Sequence, residues 1–163
     1  MRTTRISLGT AAVLASVVAA LATTQAQAVG TTDTGASADR GAVMMVLPKA
    51  PEGARFSPTA AAPTVSPSAP YIHAKEGLIS CPSGSLCTST WDPTAGSWKI
   101  YKLDKCAKYA LSNWEGDGAY RNNQTGGVVS KFYDQNGNVL KSVPSDNTPH
   151  AYKWSPVWSI RNC

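Results

Sequence analysis

Histidine is nearly missing from this chain of 163 residues: His73 and His150 are the only two. That scarcity removes the usual side chain for taking and returning protons near neutral pH. It also leaves too few ligands for a Cys/His zinc site, which needs several at close spacing. Aromatic residues are missing from one long region. From Val29 to Ser68 there is no Trp, Tyr or Cys, and Phe56 is the single aromatic. Pro48, Pro51, Pro58, Pro63, Pro67 and Pro70 are scattered there and just beyond, among Ala, Ser and Thr. Such a stretch offers too little apolar surface to offset the entropy of ordering it. Residues 29–78 are therefore expected to be a disordered linker or pro-segment. The apolar run Ala42–Leu47 within it leaves three readings open: a strand, a pro-segment contact or simple stickiness. The last asks least, since a short apolar run is ambiguous by periodicity alone. Long apolar runs are missing after Ala22.

The first residues read as an address. Arg2 and Arg5 precede an uncharged stretch from Ile6 to Ala22, and Ala26-Gln27-Ala28 follows. A charged start, an apolar run and an A-x-A site make a secretory signal. The run is short for a membrane span of about 20 residues. Residues 1–28 are expected to be removed between Ala28 and Val29, sending the rest out of the cell with no stable membrane insertion.

All the packing material lies further on. Trp91, Trp98, Trp114, Trp154 and Trp158 fall after residue 80, as do Cys81, Cys87, Cys106 and Cys163. The expected domain is residues 79–163, a size at which one core is marginal and covalent staples are common. Four cysteines in an exported chain read as two disulfides. Three pairings are possible. Pro82 and Gly84 suit a tight turn that brings Cys81 to Cys87, which leaves Cys106 for Cys163. The domain carries nine Lys and Arg against six Asp and Glu, a net +3. That is too mild to argue for nucleic acid, and Lys99, Lys102, Lys105 and Lys108 are expected on solvated strand faces.

Short strands separated by turn signals fill the domain. They are expected over Leu86–Trp91, Trp98–Leu103, Cys106–Leu111, Ala119–Asn122, Val128–Tyr133, Val139–Val143, Tyr152–Trp154 and Val157–Arg161. Asn136-Gly137 is the strongest hairpin signal in the chain. No stretch keeps helical spacing over three turns. The pattern is that of an all-β sandwich or barrel.

Tyr109-Ala-Leu-Ser-Asn-Trp114-Glu-Gly116 fits the aromatic-x4-aromatic-x-Gly signature of the βγ-crystallin Greek key. Cys81-Pro-Ser-Gly-Ser-Leu-Cys87-Thr88 resembles the opening of the actinobacterial metalloproteinase-inhibitor family, which has that fold. Trp154 to Asn162 resembles its Trp-x-x-x-x-Ser-hydrophobic-Arg closing strand. The resemblance implies a disulfide-stabilised, βγ-crystallin-like double Greek-key sandwich and a non-catalytic peptidase inhibitor directed at an extracellular protease. Two departures stand out. No second close pair of cysteines is present to brace a protease-facing loop. The calcium motif of the fold, Asn/Asp-x-x-Ser/Thr-Ser, survives only as Asn122 and Thr125, with Gly126 in the fifth position. Hard cations need several oxygens, so weak calcium binding at best is expected, and no cofactor.

The loop best suited to contact a protease is Pro144, Ser145, Asp146, Asn147, Thr148 and Pro149, polar and bracketed by prolines. An enzyme has little support. His73 lies in the linker, His150 has no carboxylate at a telling distance, and Glu115 and Asp117 read as turn formers. The competing reading is a killer-toxin-like or envelope- and carbohydrate-binding protein. It draws on the mild positive charge and on Trp91, Trp98, Tyr101 and Trp158 as surface aromatics.

Overall fold

The computed structural model describes residues 41–146 and 148–163. The expected signal segment, its cleavage point at Ala28 and Val29, residues 29–40 and Asn147 lie outside the described residues. The described chain is all-β: β1 (Val43–Val46), β2 (Thr64–Ser66), β3 (Tyr71–Ala74), β4 (Leu78–Cys81), β5 (Ser85–Asp92), β6 (Ser97–Leu103), β7 (Lys108–Ser112), β8 (Asp117–Asn123), β9 (Val129–Tyr133), β10 (Val139–Pro144), β11 (His150–Lys153) and β12 (Ser159–Arg161). No helix occurs among the described residues, and so none is long and apolar enough to cross a membrane.

The strands form three antiparallel sheets. One has the order β10-β9-β12-β7-β2, the second β11-β8-β5-β6-β3, and the third is the pair β1-β4. The connectivity has a repeat. Of β5 to β8, three strands stay in one large sheet and β7 crosses to the other; of β9 to β12, β11 makes the reverse exchange. In each set the fourth strand lies beside the first, β8 against β5 and β12 against β9.

Alternation explains the sheet of β7 and β9. Tyr109 and Leu111 point inward from β7 between exposed neighbours, as Ser130 and Phe132 do from β9. Tyr109, Leu111 and Phe132 share a core with Leu86, Tyr101, Tyr120, Trp154 and Ile160 from the other parts of the fold. Rings fill much of it. Trp114 stacks on Tyr101 at 5.4 Å and meets Trp154 edge-on at 5.0 Å, while Phe132 meets Tyr120 edge-on at 5.2 Å. Gly116 ends the aromatic motif with φ of 68°, a backbone angle that a side chain resists. At Gly118 the constraint is space: a Cβ would overlap the Ser89 carbonyl oxygen and the Trp154 indole.

β5 and β6 do not alternate, because both their faces are covered. Trp98, Ile100 and Cys87 turn away from the first core and pack with Met45, Leu47 and Ile79 of the β1–β4 layer. Two disulfides close the structure, Cys81 to Cys87 and Cys106 to Cys163. The chain-entropy model gives roughly 2 kcal/mol for the short loop and roughly 4 for the long one.

The described part of residues 29–78 departs from the expected disordered linker. Val43–Val46 is strand β1, not a sticky run, and β2 and β3 extend the edges of the two large sheets. The physical reason is backbone pairing: β2 completes the β7 ladder from Thr64 to Ser66, and β3 completes that of β6 from Tyr71 to Ala74. Lys99 also departs from expectation. It is buried, its Nζ donating to the Pro63 carbonyl at 3.0 Å and lying 4.2 Å from the Tyr71 ring centre. Lys105 and Lys108 are exposed and Lys102 is half-buried.

Candidate functional site

The loop after β10 is built from its anchor outward. Asn122 on β8 is buried, and its Nδ2 donates to the Val143 carbonyl at 2.8 Å. The Asn122 carbonyl accepts from the Asp146 N–H at 3.3 Å, and Ser145 Oγ donates to the Gln124 carbonyl at 2.6 Å. Asp146 then organises the loop: Oδ1 accepts from the Thr148 N–H at 3.0 Å, and Oδ2 lies 2.8 Å from His150 Nε2. Burial alone would raise the Asp146 carboxyl, but its bonds with His150 and Thr148 outweigh that and hold it below the usual range. The His150 ring in turn stacks on Tyr120 at 4.9 Å. Burial, followed by the Asp146 charge, pushes the Tyr120 phenol up to about 12. Pro144, Thr148 and Pro149 are exposed, Ser145 and Asp146 half-buried.

The same bonds engage the calcium candidate Asn122, whose Oδ1 accepts from the Gln124 N–H at 3.2 Å while its Nδ2 is given to Val143. Thr125 is exposed on the following turn. No cluster of three His, Cys, Asp or Glu side chains occurs among the described residues.

Both histidines acquire carboxylate partners that the sequence reading missed. His150 pairs with Asp146 across the loop, and His73 Nε2 lies 3.1 Å from Asp92 Oδ2. The spacing of the first pair was visible, but four residues apart carries meaning on a helix and little in a loop. The second needs sheet register, with β3 beside β6 and β6 beside β5. Asp92 also accepts from the Thr94 N–H and hydroxyl at 2.9 and 2.6 Å. Each pair braces a turn, and no Ser, Thr or Cys nucleophile is hydrogen-bonded to either imidazole among the described residues.

The four candidate surface aromatics separate clearly. Trp98 and Tyr101 are buried, Trp91 is half-buried, and Trp158 is 55% exposed. Trp91 lines a recess of about 440 Å³ with Pro51, Ala60, Pro93, Asn113 and Glu115. Trp158 lines an adjoining recess of about 320 Å³ with Ser112, Ser155, Asn113 and Glu115. Asn113 holds φ of 60° between the two, with its Nδ2 donating to the Ala62 carbonyl at 3.0 Å. Glu115 and Asp117, considered above as paired carboxylates, are both exposed, and Glu115 belongs to both recesses.

No protein-family model, curated protein or solved structure matches the chain. The likeness to the metalloproteinase-inhibitor family therefore rests on the motifs quoted above. What the geometry offers is two separate surfaces, a braced loop after β10 and a pair of aromatic-walled recesses around Asn113.

Proposed function

We propose that this chain is an exported, non-catalytic binding protein of the peptidase-inhibitor type, which presents the 144–149 loop to an extracellular protease. One observation carries the reading: the described loop residues on either side of Asn147 are tied down before any partner arrives. Ser145, Asp146 and His150 fix it by side-chain bonds of 2.6–3.0 Å to residues on the body and within the loop. A segment already held in one conformation loses little entropy when it enters a cleft. These bonds do the work of the second short-range disulfide that the resembled family uses and this chain lacks. The exchange of β7 and β11 between the large sheets supports the finer reading of the fold as paired Greek keys, βγ-crystallin-like, because in that motif the fourth strand returns beside the first. The signal-like first 28 residues support the extracellular setting.

The test is inhibition of thermolysin-like and subtilisin-like proteases by the full secreted chain. Inhibition at about micromolar concentration or below is expected, weakened at least about tenfold by Asp146→Ala, which frees the loop. No effect on either class at that concentration removes the proposal.

A further inference from the structure

The recesses around Asn113 have no part in the loop just described, and their chemistry is different. Trp158 is the one tryptophan among the described residues with more than half its surface exposed. Its backbone is fixed on both sides: its N–H donates to the Tyr133 carbonyl at 2.8 Å, and its carbonyl accepts from the Leu111 N–H at 2.9 Å. The main chain beneath the indole is thus fixed, while the Nε1–H has no partner among the described residues. Trp91, at the neighbouring recess, is fixed by an edge-on contact with Trp98 at 5.5 Å. Together the two indoles put apolar ring faces into neighbouring recesses that polar groups also line.

The polar groups between these two rings are of both kinds. The Glu115 carboxylate has no hydrogen-bond partner among the described residues and accepts only. Ser155 Oγ accepts from the Gly116 N–H at 3.0 Å, which leaves its own O–H to donate. Asn113 gives Nδ2 to Ala62 and keeps its Oδ1 as an acceptor, and Ser112 adds a hydroxyl. Glu115 is the only charged side chain lining either recess.

We infer that the Asn113–Glu115 recesses form a binding site for a neutral saccharide, with the indoles of Trp158 and Trp91 as platforms for the sugar rings. A pyranose has an apolar C–H face that lies on an aromatic ring. Around its rim are hydroxyls that both donate and accept, and donation to a carboxylate gives a charge-assisted bond. A lone carboxylate with no cation beside it repels phosphates, sulfates and uronates, which excludes nucleic acid and acidic polymers. An extended peptide has no ladder to join here, since β7 is already paired with β12 on one side and β2 on the other.

The experiment titrates the full secreted chain with β-1,4-linked tetrasaccharides of glucose and of N-acetylglucosamine, with an α-linked mannose trisaccharide and with polygalacturonate, following tryptophan fluorescence and calorimetry. Binding of at least one neutral sugar is expected. Trp158→Ala and Glu115→Gln should each weaken it at least about tenfold. Both side chains are exposed, and an unchanged far-ultraviolet circular dichroism spectrum with a cooperative thermal melt establishes that the variants fold. Ser145→Ala, in the protease-facing loop, should leave sugar binding unchanged, and Trp158→Ala should leave protease inhibition unchanged, so that the two proposals fail separately. Absence of binding to every neutral sugar at about 10 mM overturns the inference. So does tighter binding of polygalacturonate, or binding indifferent to both recess variants.

Discussion

The core between the two large sheets and the layer laid over it by residues 41–78 are made of opposite materials. The core holds Tyr101, Trp114, Tyr120, Phe132 and Trp154 in mutual ring contact. The layer buries only Met45, Leu47, Pro63 and Val65 among its aliphatic and aromatic side chains. Outside its ladders with β4, β7 and β6, it is held by its carbonyls. Trp98 Nε1 donates to Pro48, Lys99 Nζ and Tyr101 Oη to Pro63, Trp114 Nε1 to Thr64, Asn113 Nδ2 to Ala62 and Arg121 Nη1 to Met44. A proline-rich chain has fewer N–H groups than carbonyls, so it cannot satisfy itself in a ladder. Here the body supplies the missing donors from side chains. Composition measures what a segment can bury for itself, and it is silent about carbonyls that another part of the chain will use.

The comparison breaks most completely at Gly118, where body meets body. Alanine there would drive a methyl into the Ser89 carbonyl and the Trp154 ring, both of which are fixed by the 2.7 Å bond between them. Neither is the free end of a flexible side chain. The expected loss for Gly118→Ala is roughly 4 kcal/mol or more, enough to leave much of the protein unfolded. Denaturant melts monitored by near-ultraviolet circular dichroism check it. A loss under about 1 kcal/mol would mean that the β8–β5 packing gives way easily.

A smaller effect sharpens the contrast. Lys99→Met keeps an unbranched apolar stem but removes both the donor to Pro63 and the ammonium over the Tyr71 ring. Tyr101 still donates to that carbonyl at 2.7 Å, so global stability should fall by only about 1 kcal/mol. The loosening should appear in the layer, as faster tryptic cleavage after the exposed Lys49 and Arg55, with residues 79–163 left intact. Uniform cleavage throughout the chain would show that layer and body open together.

How far these regions were legible in the sequence follows from the same physics. The eight strands from β5 to β12 were marked by β-branched and aromatic runs between turn residues. The Asn136-Gly137 turn lies where expected, with Asp134 Oδ1 accepting from the Asn136 and Asn138 N–H groups. All of these signals are local. Strand β1 showed only an ambiguous apolar run, and β2 and β3 showed no such signal, because the order of all three comes from distant partners in β4, β7 and β6. Lys99 sat on a face that alternation makes solvated, and β3 with the turn at Pro63 covers it. The loop after β10 was marked by its prolines, but the Asp146–His150 brace was not. One wall of the Trp91 recess comes from Pro51, Ala60 and Ala61, inside the supposed linker, so the recess had no sequence signature at all.

The seam between the two regions gives the smallest effect. Asp92 belongs to the body, at the end of β5, and its buried carboxylate meets His73 of the layer strand β3. Burial by itself would raise its pKa. The bonds from Thr94 and His73, with Lys99 nearby, outweigh burial and set the folded value below the ordinary one. A carboxyl lowered on folding stabilises the native state fully above its unfolded pKa, and that contribution is lost as pH falls through the folded value. Asp146 is shifted in the same direction within the body alone. Acid should therefore weaken both sites, but only at Asp92 should it release the layer. Hydrogen exchange at β3 is expected to rise as pH drops below the carboxylate range, relative to exchange at β5 and β8. In Asp92→Asn that acid dependence should flatten at β3, since no carboxyl remains there to protonate, while the loop after β10 keeps its own. If β3 loosened with acid equally in the variant, the tie between layer and body would lie in the backbone ladder with β6 and not in the carboxylate at its edge.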